Sequence, residues 1–389
     1  MPARYKIPFC IDVRCFMPHG ILCGVLSLCA AVLWCTAAMG QYDNVDSYSQ
    51  QTGVALGGRN TQSPFNIKGS LGFSYNSTMQ FGVGGTVAGY YYTQPRSPYI
   101  SPSNVTLFAD ISFSGYYIFG VRGNNFFDGD RLRFDYLAYR QYMPINFWGI
   151  GYDNGTWRNW QLMYRTTSYV GADFLARIGF RAYLGPSVSF ASVGARLDDT
   201  SWLDGQRTSY NMLSIGALAT YDSHNLPAPR QKGVFLKLHP RYYPAMGGAG
   251  MSFMKVDLIA DFYHGLWKGA TLAYDLHADL SWGDVPWTAM PVIGSIYRMR
   301  GYYMGRYRDR NLVEAQVELR QKIWRRLGAV AWVGCGNVFP SPDEFNPSHT
   351  LPNWGVGYRW EVFPGSRVRL DFGMGKNAWG FIIGLNEAF

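Results

Sequence analysis

The chain has 389 residues, of which 48% are hydrophobic, 17% aromatic and only 16% charged, with 45 glycines and a formal net charge of +9. An average globular chain carries about 25% charged residues, and a mean hydropathy of −0.12 excludes a bundle of apolar membrane helices, each needing about 20 consecutive apolar residues. Lys and Arg are scattered singly rather than gathered in blocks, which excludes a polybasic nucleic-acid surface.

In chain order, Arg4, Lys6 and Arg14 precede an apolar run from Ile21 to Trp34, and Ala38-Met39-Gly40 puts small residues at the two cleavage-determining positions. Residues 1–40 therefore read as a cleaved secretory signal peptide. Five of the six cysteines (Cys10, Cys15, Cys23, Cys29, Cys35) lie within it. Only Cys335 remains, so no internal disulfide and no Cys metal cluster is expected, and no cofactor or metal. Residues 41–64 are polar and Gly-rich and read as a flexible periplasmic lead-in. Phe65–Asn76 reads as a short strand or an irregular arm before the barrel proper.

From Gln80 onward sixteen strand-like stretches follow: 80–93, 104–114, 116–126, 131–141, 157–168, 171–184, 186–197, 209–221, 233–243, 251–264, 267–281, 311–321, 326–336, 352–362, 366–375 and 379–389. None of the connections reads as a capped amphipathic helix. The faces alternate with a period of two. Lys255, Asp257 and Asp261 oppose Met254, Val256, Leu258, Ala260 and Phe262. Glu314, Gln316, Glu318 and Arg320 oppose Val313, Ala315, Val317 and Leu319. Arg367, Arg369 and Asp371 oppose Val368, Leu370 and Phe372. Charges this regular, behind a secretory signal, predict an all-β fold over 65–389: a sixteen-stranded antiparallel transmembrane β-barrel with lipid outside and a charged lumen inside. An Arg or Lys facing lipid at mid-depth would cost about 2–4 kcal/mol. Closure also leaves no strand edge unsatisfied in the bilayer. Tyr90, Tyr91, Tyr92, Trp157 and Trp160 fit the aromatic girdles of such a barrel.

Both ends of an even-stranded barrel lie in the periplasm. Counting back from Phe389 then puts 376–378, 337–351 and the longest connection, 282–310, outside. It puts 363–366, 322–325, 265–266, the Gly185-Pro186 turn and Ser114-Gly115 in the periplasm. Connections 142–156 and 222–232 are long and yet land on the periplasmic side. In the last stretch Phe381, Ile383, Leu385 and Phe389 share one face, the pattern that outer-membrane barrels present to their assembly machinery.

Three separated stretches carry a family resemblance: Tyr221-Asp222-Ser223-His224-Asn225 leading to Lys232-Gly233; Met299-Arg300-Gly301-Tyr302 within the longest loop; and Gln316-Val317-Glu318-Leu319-Arg320 followed by Trp332-Val333-Gly334-Cys335-Gly336-Asn337-Val338-Phe339. In order and spacing they resemble the BamA/TamA superfamily of outer-membrane barrels, the bacterial surface antigen family, over most of residues 65–389. The resemblance implies that loop 282–310 folds into the lumen and that Arg300 of the Arg300-Gly301-Tyr302 motif pairs with an inner-wall acid matched by Glu318. It marks Tyr221, Asp222, Gly233 and Gly336 as family-element residues. The family's second acid falls at Gly334 here, and His224 stands where the family has Arg. The resemblance further implies a component that inserts or exports outer-membrane proteins or lipids in a Gram-negative outer membrane. Family members usually carry periplasmic POTRA domains. The roughly forty residues between signal and Gln80 leave no room for one, so a separate periplasmic subunit and outer-membrane protein clients are the implied partners, beside membrane lipids.

The alternative is a passive diffusion channel or a scaffold barrel. A barrel enzyme has only His277, between Asp275 and Asp279, to recommend it. No Gly-x-Ser-x-Gly or His-Glu-x-x-His motif is present, and the reading is of a non-enzyme in which His277 belongs to a hydrogen-bonded charge cluster of the lumen.

Overall fold

Alternating apolar and polar residues in segments of 8 to 19 residues leave each strand with one oily and one wet face, which only a closed sheet can satisfy in lipid. A computed structural model describes residues 65–94, 102–156, 159–223, 232–245, 251–363 and 366–389. The signal peptide and lead-in read at 1–64 lie outside the described residues. Sixteen antiparallel strands close into a barrel in sequence order. They are β1 (Phe65–Asn76), β2 (Gln80–Tyr91), β3 (Ser103–Ser112), β4 (Tyr117–Phe127), β5 (Leu132–Phe147), β6 (Gln161–Gly179), β7 (Ala182–Arg196) and β8 (Ser209–Asp222). The second half is β9 (Gly233–Tyr243), β10 (Phe253–Gly265), β11 (Ala270–Gly283), β12 (Asn311–Trp324), β13 (Leu327–Phe339), β14 (Leu351–Phe363), β15 (Ser366–Gly375) and β16 (Ala378–Leu385). No helix among the described residues is long and apolar enough to cross a membrane.

The expected number of strands is met, by a different partition. Phe65–Asn76 is no arm: all twelve of its residues pair with β2. The stretches 157–168 and 171–184 are instead mostly one strand, β6, and the chain reverses at Phe180-Arg181, where Arg181 takes φ +57. The expected turn at Gly185-Pro186 lies inside β7. There Pro186 has no N–H to donate and Gly185 runs so close to β6 that a Cβ would sit 1.7 Å from the Phe174 carbonyl. The ladder lapses over these residues and resumes on both sides. This repartition corrects the sidedness of everything before β7. The connection after β5, which holds a one-turn helix at Tyr152–Thr156, now shares a rim with residues 284–310, and so does Ser114-Gly115. We call this the loop rim. The opposite rim, where β1 begins and β16 ends, is the terminus rim.

The faces are inside-out relative to a soluble sandwich. Leu107, Phe119, Val170, Ile215, Val333 and Val356 are exposed on the outer wall, whereas Lys237, Asp257, Asp275, Glu318, Arg359 and Arg369 are buried on the inner one. Transfer of an apolar side chain from water into hydrocarbon is favourable by about 25 cal/mol per Å², so this outer wall calls for lipid. The lumen is filled at two heights. Towards the loop rim, wall residues Ile118, Met143, Phe147 and Met163 pack with Trp287, Met290 and Met304 of the long loop in one apolar cluster. Lower down, charged residues dominate.

Candidate functional site

Residues 284–310 leave β11, descend into the lumen and return to β12. Their deepest point is Arg300, which is 0% exposed. A left-handed residue, Met299 (φ +48), and Gly301 (φ +105) flank it and turn the chain sharply there. Gly301 lies against the backbone of β15: a Cβ on Gly301 would be 2.4 Å from the Gly373 carbonyl, and one on Gly373 2.1 Å from the Arg300 carbonyl. Two glycines are thus required face to face for the loop to reach the wall.

The guanidinium of Arg300 meets three strands. Nη1 donates to Asp371 Oδ2 on β15 (2.8 Å), Nη2 donates to Glu318 on β12, and the plane lies over the Trp332 ring of β13, 3.6 Å from its centroid. The inner face of β14 makes room for this, reading Asn353, Gly355, Gly357, Arg359. A Cβ on Gly355 would clash with the Trp332 indole at 2.2 Å, and one on Gly357 with Asp371 at 2.1 Å. Asn353 accepts from Trp332 Nε1 (2.9 Å) and donates to the Arg300 carbonyl. Tyr302 OH donates to the Pro352 carbonyl and accepts from the Lys376 N–H, each at 2.7 Å. Burial pushes the Tyr302 phenol up to about 12, so it stays a donor. A second arginine of the loop, Arg298, makes a two-pronged pair with Asp275 on β11 (2.7 Å each). Burial works against its charge, but the Asp275 carboxylate outweighs that and holds the guanidinium more firmly protonated. Gln316 bridges the two locks, donating to Asp275 (2.7 Å) and accepting from Arg300 Nη2 (3.5 Å), and also donates to the Tyr297 carbonyl (3.1 Å).

The Arg300 cluster continues towards the terminus rim. Glu318 accepts from Arg320 (2.7 Å), Asp371 accepts from Arg359, and Glu387 accepts from Arg359 and Arg367 (2.7 Å each). Bidentate and charge-assisted contacts of this kind fix a loop's position as well as its energy.

The structure brings Arg300 and Glu318 into contact. The acid missing at Gly334 is replaced from another strand, by Asp371. Gly336 also belongs here: a Cβ on it would touch the Met299 sulfur at 3.2 Å. Tyr221, Asp222 and Gly233 do not join the loop. They lie at the terminus rim on β8 and β9, where the Asp222 N–H donates to the Arg181 carbonyl (3.2 Å); His224 lies outside the described residues. Phe381, Ile383 and Leu385 line one face of β16, and Phe381 packs on Phe372 (4.7 Å). Phe389 departs from them. The strand ends at Leu385, Asn386 takes φ +59, and Phe389 turns inward near Tyr263 (6.2 Å), with the Arg320 guanidinium over its ring (4.7 Å). His277 lies on the same wall, on β11 two residues from Asp275, buried 3.0 Å from Glu314 of β12 and 3.4 Å from Asp257 of β10. Trp332, Asn353 and Gly373 were missed as site residues. Their signal was the alternation itself, which turns Trp332 and Asn353 inward.

The seam between first and last strands is short. Only Tyr75 and Asn76 pair with β16, at Ile383 and Ile382. The remainder of β1 has no β16 partner among the described residues; β16 stops at Leu385 and its tail turns into the lumen. At the loop-rim end of the seam a cavity of about 480 Å³ opens between Tyr75, Phe81, Phe113, Trp379 and Phe381.

Solved structures share the fold of this barrel. BamA from Haemophilus ducreyi lacking POTRA domains 1–3 matches at a TM-score of 0.59 and 9% identity, covering 95% of this chain and 78% of that one. CdiB from Escherichia coli matches at 0.57 and 15%, covering 84% and 63%. CdiB from Acinetobacter baumannii matches at 0.52 and 12%, covering 83% and 60%. The chain thus spans about three-fifths of the CdiB chains. The likeness is one of fold: a closed β-barrel like those of BamA and CdiB. No protein-family model matches the chain, and no curated protein does.

Proposed function

We propose that this chain is an assembly or translocation barrel of a Gram-negative outer membrane, working with a separate periplasmic subunit to insert outer-membrane proteins. The observation that carries this reading is the seam. From Asn66 to Ser74 β1 is fully paired with β2 on one side and, among the described residues, has no β16 partner on the other. A row of unpaired N–H and C=O groups in a lipid-facing wall is costly and is a template for another strand. An incoming barrel strand has the chemistry to satisfy it. The fold likeness to BamA and CdiB supports the same reading. A passive channel needs a continuous polar path, and the packing of Trp287, Met290 and Met304 against the wall opposes one.

The test is a reversible staple across the seam. In a Cys335→Ser background, Tyr75→Cys with Ile383→Cys places two thiols at paired positions. Oxidation is expected to lower the outer-membrane levels of several unrelated barrels, and reductant to restore them. Depleting the protein should produce the same loss. An unchanged outer-membrane proteome in both experiments would overturn the reading.

A further inference from the structure

Two neighbouring turns of the terminus rim differ in chemistry from the outer wall above them. The β10–β11 turn carries Leu266, Trp267 and Lys268, and the β12–β13 turn and its approach carry Lys322, Ile323, Trp324, Arg325 and Arg326; all eight are exposed. The strands between them are paired, so the turns lie side by side: the Lys322 N–H donates to the Gly269 carbonyl (2.7 Å) and Trp267 Nε1 donates to Gln321 (2.8 Å). Trp267 and Trp324 are each 60% exposed and Ile323 66%. Residues 265–272 and 321–331 hold no Asp or Glu. Glu361 of β14 approaches from the side, its N–H donating to the Arg326 carbonyl (2.7 Å), and sets one negative charge against four positive ones.

We propose that this patch is a binding site for anionic phospholipid headgroups of the phosphatidylglycerol type. The apolar members continue the lipid-facing wall down to the rim, and at that height a barrel in a bilayer meets headgroups. Trp at the boundary sits with its ring in the interface, and the four cations stand beside it where lipid phosphates lie. Arg325 is held over the Trp324 ring, 4.8 Å from its centroid, so charge and ring are presented together. Each Lys or Arg near an anionic surface strengthens binding about fivefold, and salt screens the effect. The site is independent of the Arg300 lock and of the seam, and needs only that the barrel stand in lipid.

The experiment uses the full chain in detergent, given equimolar phosphatidylglycerol and phosphatidylcholine, with retained lipid counted by native mass spectrometry. Wild type is expected to retain phosphatidylglycerol in preference. That preference should fall about fivefold for each of Lys268→Gln, Lys322→Gln, Arg325→Gln and Arg326→Gln, and should collapse in high salt. Trp267→Ala with Trp324→Ala is expected to weaken both lipids alike. The four cations are exposed turn residues, and the heat-dependent gel shift of a folded barrel checks each variant. If the quadruple variant does not fold, the single variants and the salt dependence still decide. Equal retention of the two lipids by wild type would overturn the proposal. So would unaltered preference in the charge variants, or full displacement of lipid by inorganic phosphate, which would make this a free-anion site.

Discussion

At the scale of single residues, Arg300 is outnumbered by its own kind. Around Glu318, Asp371 and Glu387 stand Arg300, Arg320, Arg359, Arg367 and Arg369. Remove Arg300 and Glu318 keeps Arg320 while Asp371 keeps Arg359. Remove Asp371 and Arg369 loses the carboxylate 3.7 Å from it, although its nitrogens make no hydrogen bond among the described residues. Stranding a buried charge costs about 3–5 kcal/mol, whereas removing a surplus one falls in the ordinary range of about 1–2 kcal/mol. Asp371→Asn is therefore expected to lower thermal stability in detergent more than Arg300→Met does, and the reverse order would refute the charge arithmetic. Half of this was legible. The resemblance gave Glu318 as a partner, and the period of two turned Asp371 inward. What joins Asp371 to Arg300 is the curvature of the closed wall, which brings β12 and β15 to one loop, and spacing along a chain does not report that.

At the scale of elements, the strand count was legible and the partition was not. Gly-Pro is a strong turn signal, yet Gly185-Pro186 lies within a strand, while the true reversal uses Arg181 in a left-handed conformation that ordinary residues adopt only rarely. A displaced turn shifts the sidedness of every earlier connection, which is why the long connection after β5 looked misplaced. The inserted loop obeys a simpler rule. At Gly301 and Gly373 it meets β15 backbone to backbone, so any side chain there must push it away. Gly373→Ala, with a Cβ 2.1 Å from the Arg300 carbonyl, is expected to undock the loop without unpairing β15, since Ala is tolerated in strands. Trypsin reports this. In wild type Arg298, Arg300 and Arg308 are buried and should resist cleavage, and in the variant they should be cut early. Identical digestion of the two proteins would show that the contact is not what holds the loop.

At the scale of the whole molecule, the two fillings of the lumen divide the work of closing it. The charged network orients the loop, because its geometry admits few positions. The apolar cluster near the loop rim opposes the passage of water, because Trp287, Met290 and Met304 pack against Ile118, Met143, Phe147 and Met163. Trp287 is fixed there by more than packing: its ring meets Phe147 edge-on at 6.3 Å, and its Nε1 donates to the Arg207 carbonyl (2.9 Å). A sixteen-stranded barrel emptied of its loop is wide enough for an aqueous channel. On this reading the loop is what separates the barrel from a pore. Reconstituted into planar bilayers, wild type is expected to show little steady conductance, whereas replacing residues 286–309 by a short Gly-Ser turn should give a stable, wide and weakly selective pore. Trp287→Ala with Met290→Ala, which leaves Arg300 anchored, should lie between them, with flickering openings. Steady wild-type conductance matching that of the loop deletion would mean that the loop does not seal the lumen in a bilayer, and would return the passive channel to contention.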